Sequence, residues 1–425
     1  MITLHRAVTL GSILLVFGGC ASRQNMLTPS LAGTAGAVRM TADTASGMPG
    51  DTASGLPGDT ASGLPGDTAS GLPGDTASGL PGDTATGLPG ASFACAPVTQ
   101  PGQARCTIAI NTNVPAVPAP NTPPSLLSGL HPSDLISAYG LPMSGGGATV
   151  AIVDAYDNPT AEADLAVYRS TFGLSPCTSA TGCLRKVNQR GQAGSYPAPN
   201  AGWSVEIALD LEMVSAVCPS CNILLVETDS DLMDDLGAGV DTAAALGARV
   251  ISNSYYATEW SAEGAEDVHY RHPGVAMTVS AGDLGRTSYP AASQLVTAVG
   301  GTSLSRGATG WAESAWKYGG HGCSSYIRRP AWQDSTRCRS RSAVDVSAVA
   351  DPQTGVTMFE SQAGGWLVAG GTSVGAPLIA AAYALSGNPQ GPAYAYAHRS
   401  GFRALTSLGY DPSTGLGSPE GLLGL

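Results

Sequence analysis

The sequence predicts an α/β protein: a mostly parallel sheet with helices on both faces, preceded by a disordered tether. Two observations carry this. From about position 148 onward, short Val/Ile-rich runs alternate with segments of helical periodicity. Ahead of them lies an octapeptide repeat, rich in Gly and Pro, with too little apolar side chain to build a core.

The elements follow in order. ATVAIVDAY (148–156) reads as a buried parallel strand, and TAEADLAVYRSTFG after it as a helix. SVEIALDLEMVSAV (204–217) has apolar residues at helical spacing, and NILLVE (222–227) is a second buried strand. DLMDDLGAGVDTAAALG reads as helix, RVISNSY as strand, and GVAMTVSAGD (274–283) as a strand ending at an acid. SVGAPLIAAAYALSG (373–387) is helical. In sheets of this kind catalytic and ligand-binding groups gather at the carboxyl ends of the strands.

The first part of the chain reads differently. His5 and Arg6 precede a short apolar run, Ala7 to Phe17, too short to span a bilayer comfortably and suited to a signal-peptide core. It ends in LLVFGGCAS, which resembles the lipobox of bacterial lipoproteins and implies a lipid on Cys20 and membrane attachment. Phe17 departs from that pattern, and an ordinary secretory signal with an incidental cysteine is the alternative. From Asp43 to Gly90 the octamer DTASGLPG recurs six times, with Met48 and Thr86 as the clear variations. A flexible spacer of ~100 such residues has a root-mean-square reach of roughly 55 Å. The expected organisation is a signal peptide at 1–20, a low-complexity tether at 21–123 and one folded domain at 124–425.

Charged residues are 12% of the chain and the net charge is −12, so nothing in its electrostatics attracts nucleic acid. Apart from Cys20, the cysteines fall as Cys95/Cys106, Cys177/Cys183, Cys218/Cys221 and Cys323/Cys338. In an exported protein this spacing suggests nearest-neighbour disulfides, one of 105 possible pairings. CPSC also has metal-ligand spacing, but no second CxxC and no His cluster accompanies it, which argues against zinc.

Three features bear chemistry. AGGTSVGAP puts Ser373 behind Gly370 and Gly371, in the first turn of an apolar helix, where free N–H groups favour a developing oxyanion. The same position also suits a Ser helix cap. Glu206 and Asp210 stand four apart and share one helix face, as paired carboxylates that exchange a proton do. A solvated helix face is the competing reading, since Glu212 shows acids elsewhere on that helix. Asp283 in VSAGDLG lies at a strand's carboxyl end, where turn and capping aspartates are also common.

The ordered set EIALDLE, VSAGDLG, YPAASQLVTAVGGTSL, DVSAVADPQTG, GGTSVGAP and GYDPSTGLGSP resembles the sedolisin family of serine-carboxyl peptidases over about Pro132 to Leu425. The resemblance implies a subtilisin-like fold, with Ser373 as nucleophile, Glu206 as general base, Asp210 orienting Glu206, and a protonated Asp283 in the oxyanion hole. Asp154 follows VAIV much as a subtilisin-type triad aspartate would, but the pattern gives it no catalytic role. Three departures stand out. The stretch 91–123 is too short for the family's folded prodomain. Leu284 replaces the usual Ser after Gly-Asp. The calcium loop lacks its first aspartate, leaving only Gly409 and Asp411 matching, and one carboxylate makes a poor calcium site. The implied activity is an acid-favouring endopeptidase, monomeric and acting on polypeptides outside the cytoplasm. The alternative is a catalytically inactive relative serving as a surface binding module.

Overall fold

The computed structural model describes residues 88–333, 336–407 and 409–425. The expected signal peptide, Cys20 and all but the end of the repeat lie outside the described residues. In chain order the strands and helices begin with β1 (Ala91–Phe93), β2 (Arg105–Cys106), β3 (Ala109–Asn111) and α1 (Pro132–Tyr139). Then come β4 (Thr149–Ala155), α2 (Ala161–Thr171), β5 (Leu184–Asn188), α3 (Ala201–Val217), β6 (Asn222–Thr228) and α4 (Met233–Ala245). The chain continues through β7 (Val250–Asn253), β8 (Tyr255–Thr258), β9 (Ala276–Ser280), β10 (Ser288–Tyr289), β11 (Thr297–Gly307) and β12 (Gly310–Ala315). The later elements are β13 (Cys323–Arg328), β14 (Ser340–Ser342), β15 (Val346–Val349), β16 (Val356–Glu360), β17 (Gly365–Gly370) and α5 (Thr372–Ser386).

Eight of these strands form the main sheet, in the order β12-β11-β9-β7-β4-β6-β5 with β15 also paired to β11. Every pairing in it is parallel except β11 with β12. A parallel sheet needs both faces covered, which is why β4 and β6 read as unbroken apolar runs rather than alternating ones. Helices α3 and α5 pack against each other and against the sheet. The alternating strands and helices expected from the sequence all appear, with ends shifted by a few residues.

RVISNSY departs from one continuous strand. The chain leaves the main sheet after Asn253, turns at Ser254, and enters β8, which belongs to a separate small sheet ordered β10-β8-β2. The four disulfides join nearest neighbours: Cys95–Cys106, Cys177–Cys183, Cys218–Cys221 and Cys323–Cys338.

The sequence reading ends the spacer at residue 123. The structure instead draws residues 88–123 into the folded part, where β1 and β3 join a sheet with β17 and β16, and β2 joins β8. The cause is apolar burial and covalent closure. Ile108, Ala109 and Cys106 are fully buried, and Cys95–Cys106 closes the turn between the strands.

Candidate active site

Asn200 caps α3, its side-chain oxygen accepting from the N–H groups of Gly202 and Trp203. From Trp203 to Val217 every residue of that helix is buried. The solvated-face reading of its acids therefore fails, and Glu206, Asp210 and Glu212 all lie in the interior. Glu212 has a structural task, accepting the Phe359 N–H at 3.0 Å. Glu206 and Asp210 face the start of α5 and the turn at Ser254. Ser254 Oγ reaches both Asp210 oxygens, at 2.8 and 2.7 Å. Both Glu206 oxygens lack a hydrogen-bond partner at ordinary geometry.

Burial drives the Glu206 carboxyl well above the ordinary range. The charges of Asp210 and Asp154 push it the same way, while the neighbouring Ser373 hydroxyl draws it partly back. Burial likewise raises Asp210, opposed by its Ser254 and Glu206 contacts. Asp154 is brought to the same place. It is fully buried at the end of β4, both its oxygens are unpartnered, and its carboxyl is raised by burial and then by Asp210. Three carboxyl groups in one water-poor region cannot all ionise, so the cluster holds protons shared among its members.

Ser373 is the second residue of α5. Gly371 before the helix has φ 99°, which only glycine adopts without strain. Gly370 serves another purpose: a Cβ there would stand 2.4 Å from the Ala350 carbonyl oxygen. Inside α5, Pro377 has no N–H to give to the Ser373 carbonyl one turn back, so the first turn is held less by ladder bonds than by what surrounds it. Asp283 lies three residues past the end of β9. Its Oδ1 accepts from the Thr372 N–H and the Thr372 hydroxyl, both at 2.8 Å. Its Oδ2 is buried without a partner. Burial raises the Asp283 carboxyl to about 7, against the pull of the Thr372 bonds.

The structure thus gathers Ser373, Glu206, Asp210 and Asp283, from α5, α3 and the β9 exit, at one end of the parallel strands. It adds Ser254 and Thr372, which position two of the acids. It also adds Thr107, whose hydroxyl shares a 2.5 Å hydrogen bond with the Ser373 hydroxyl. Thr107 falls within the stretch read as spacer. The paired Cys95 and Cys106 and the β-branched run TIAINTNV are the sequence signals for it.

Among the described residues, no three His, Cys, Asp or Glu side chains are arranged to hold a metal ion. Asp411 is spent on its own turn, accepting from the Ser413 N–H at 2.9 Å and from the Ser413 hydroxyl. The described residues of this loop do not fit a calcium site.

No family model matches the chain. Kumamolisin of Bacillus sp. (strain MN-32) is 27% identical over 355 residues, 68% of this chain and 62% of that protein, so the chain spans about three fifths of its relative's length. Among solved structures, Pseudomonas sedolisin, a serine-carboxyl proteinase complexed with pseudo-iodotyrostatin, superposes with a TM-score of 0.61. The identity is 22%, covering 69% of this chain and 96% of that one. The motif resemblance to the sedolisin family is matched by both likenesses, and the fold is subtilisin-like.

Proposed function

We propose that the chain is an acid-favouring serine-type endopeptidase that hydrolyses peptide bonds with Ser373 as nucleophile. The observation that carries this is the convergence of a helix-start serine, a proton-sharing carboxyl pair and a separate neutral-leaning carboxyl in one buried place. In this reading Ser373 Oγ attacks the substrate carbonyl, and Glu206 takes its proton and passes it to the leaving nitrogen. A carboxylate lifted by burial is a stronger base than an exposed one, and Asp210, held by Ser254, keeps Glu206 in place. The oxyanion forms at the start of α5, where Asp283 donates from Oδ2 while it is protonated. Water then hydrolyses the acyl-enzyme by the same route.

The domain assignment and localisation belong to the same proposal. A signal peptide and a lipid on Cys20 would leave the catalytic part on a tether outside the cytoplasm. No helix among the described residues is long and apolar enough to cross a membrane. The test is hydrolysis of an unfolded protein between pH 3 and 8 by the wild type and by Ser373→Ala. The expected loss is roughly 10⁶-fold, the scale seen when a serine nucleophile is removed. Turnover by the variant equal to a measurable wild-type rate would end the assignment.

A further inference from the structure

Ser373, Glu206, Asp210 and Asp283 have no solvent-exposed surface. An endopeptidase has to admit an extended chain to such groups, so the groove is filled by something. The occupant is the chain's own loop 94–108. Its stem is the antiparallel pair β1–β3, with Ala91 opposite Asn111 and Phe93 opposite Ala109. The Cys95–Cys106 disulfide closes the loop above that stem.

On one side of Ser373 the loop runs antiparallel along β8, Arg105 opposite Tyr256 and Cys106 opposite Tyr255. On the other the chain continues into β3, which runs antiparallel along β17, Ala109 opposite Gly370. Between them Thr107 donates its N–H to the Ser254 carbonyl at 3.3 Å and meets Ser373 through its hydroxyl. Its carbonyl oxygen lies against Gly371: a Cβ there would stand 1.8 Å from it and 2.7 Å from Asp283 Oδ2. This is how an extended peptide docks on a strand edge, by main-chain pairing, with one carbonyl offered to the oxyanion donors.

We propose that loop 94–108 is a built-in inhibitor of this site, with Thr107 seated over Ser373; the proposal rests on the peptidase reading above. The disulfide holds the loop near its seated shape, so little ordering entropy is lost on docking. Arg105 braces it further, donating Nε–H to the Cys95 carbonyl at 3.1 Å and lying 4.2 Å over the Phe93 ring. The far flank is pinned by Ala104 N–H on the Asp231 carbonyl at 2.7 Å. Hydrolysis of the Thr107–Ile108 bond, which adds one water across it, would not by itself free the loop. The new ends stay joined through Cys106–Cys95 and the β1–β3 pairing.

The full chain carrying Ser373→Cys provides a readout independent of catalysis, the rate at which iodoacetamide alkylates the thiol at position 373. That thiol should be shielded. Adding Cys95→Ser with Cys106→Ser, or separately Thr107→Glu, which sets another carboxylate beside the acids, should speed alkylation by about tenfold or more as the open population rises. With Ser373 intact, the same loop variants should cleave a short fluorogenic peptide faster by a similar factor. Alkylation in the unaltered loop as fast as in urea would overturn the proposal. So would no change in either variant while its melting transition is retained. Loop variants that expose the thiol yet cleave nothing would overturn the peptidase reading, with the cover left standing.

Discussion

Asp283→Asn tests the electrostatics of the site most directly. Burial lifts the carboxyl to about 7, whereas in the unfolded chain it ionises near the ordinary value of about 4. Below pH 4 the group is protonated in both states and costs folding nothing. As pH rises from 4 to 7 the unfolded state sheds the proton and the folded state keeps it, so stability falls, and above about 7 the loss is complete. Some 3 pH units at 1.36 kcal/mol each make this about 4 kcal/mol. Asn keeps an acceptor for the two Thr372 donors and does not titrate. Urea denaturation at pH 4 and pH 8 should therefore show the wild type losing about 4 kcal/mol more than Asp283→Asn over that interval. The other buried carboxyls are present in both proteins and largely cancel. Activity should change in parallel. At pH 8 about one tenth of Asp283 remains protonated in the wild type, which sets an alkaline limit that the variant lacks. Equal stability loss in the two proteins, with an unchanged alkaline limb, would refute the reasoning.

Glu206→Gln should lose activity by about 10²–10⁴-fold, the usual contribution of a general base, and Asp210→Asn should lose less, because Asn can still accept from Ser254 and can donate to Glu206; the kcat of each, measured at the wild-type optimum, decides the order. Calcium should not stabilise the protein: melting temperatures with calcium and with chelator should agree within about 1 °C, and a large drop on chelation would reveal a site elsewhere. Protein exported to an oxidising compartment should carry no free thiol at Cys218 or Cys221, which mass spectrometry of non-reduced peptides checks.

Local chemistry in the sequence was enough for the order of strands and helices, because buried parallel strands and amphipathic helices differ in apolar period. The same local reading places Ser373 at a helix start behind two glycines. It also places Glu206 and Asp210 on one helix face, since four residues make about one turn. What the period cannot say is whether the acids of an otherwise apolar helix meet solvent or lie in the interior. Only packing shows that α3 is buried from Trp203 to Val217, that Glu212 serves the Phe359 N–H, and that Asp154 stands against Glu206 and Asp210. The four disulfides join the nearest neighbours that the cysteine spacing suggested, and tertiary structure supplied the rest. It converted residues 88–123 from expected spacer into strands and laid Thr107 on Ser373. Those outcomes rest on contacts between residues up to 266 positions apart, and no local pattern encodes where such partners will meet.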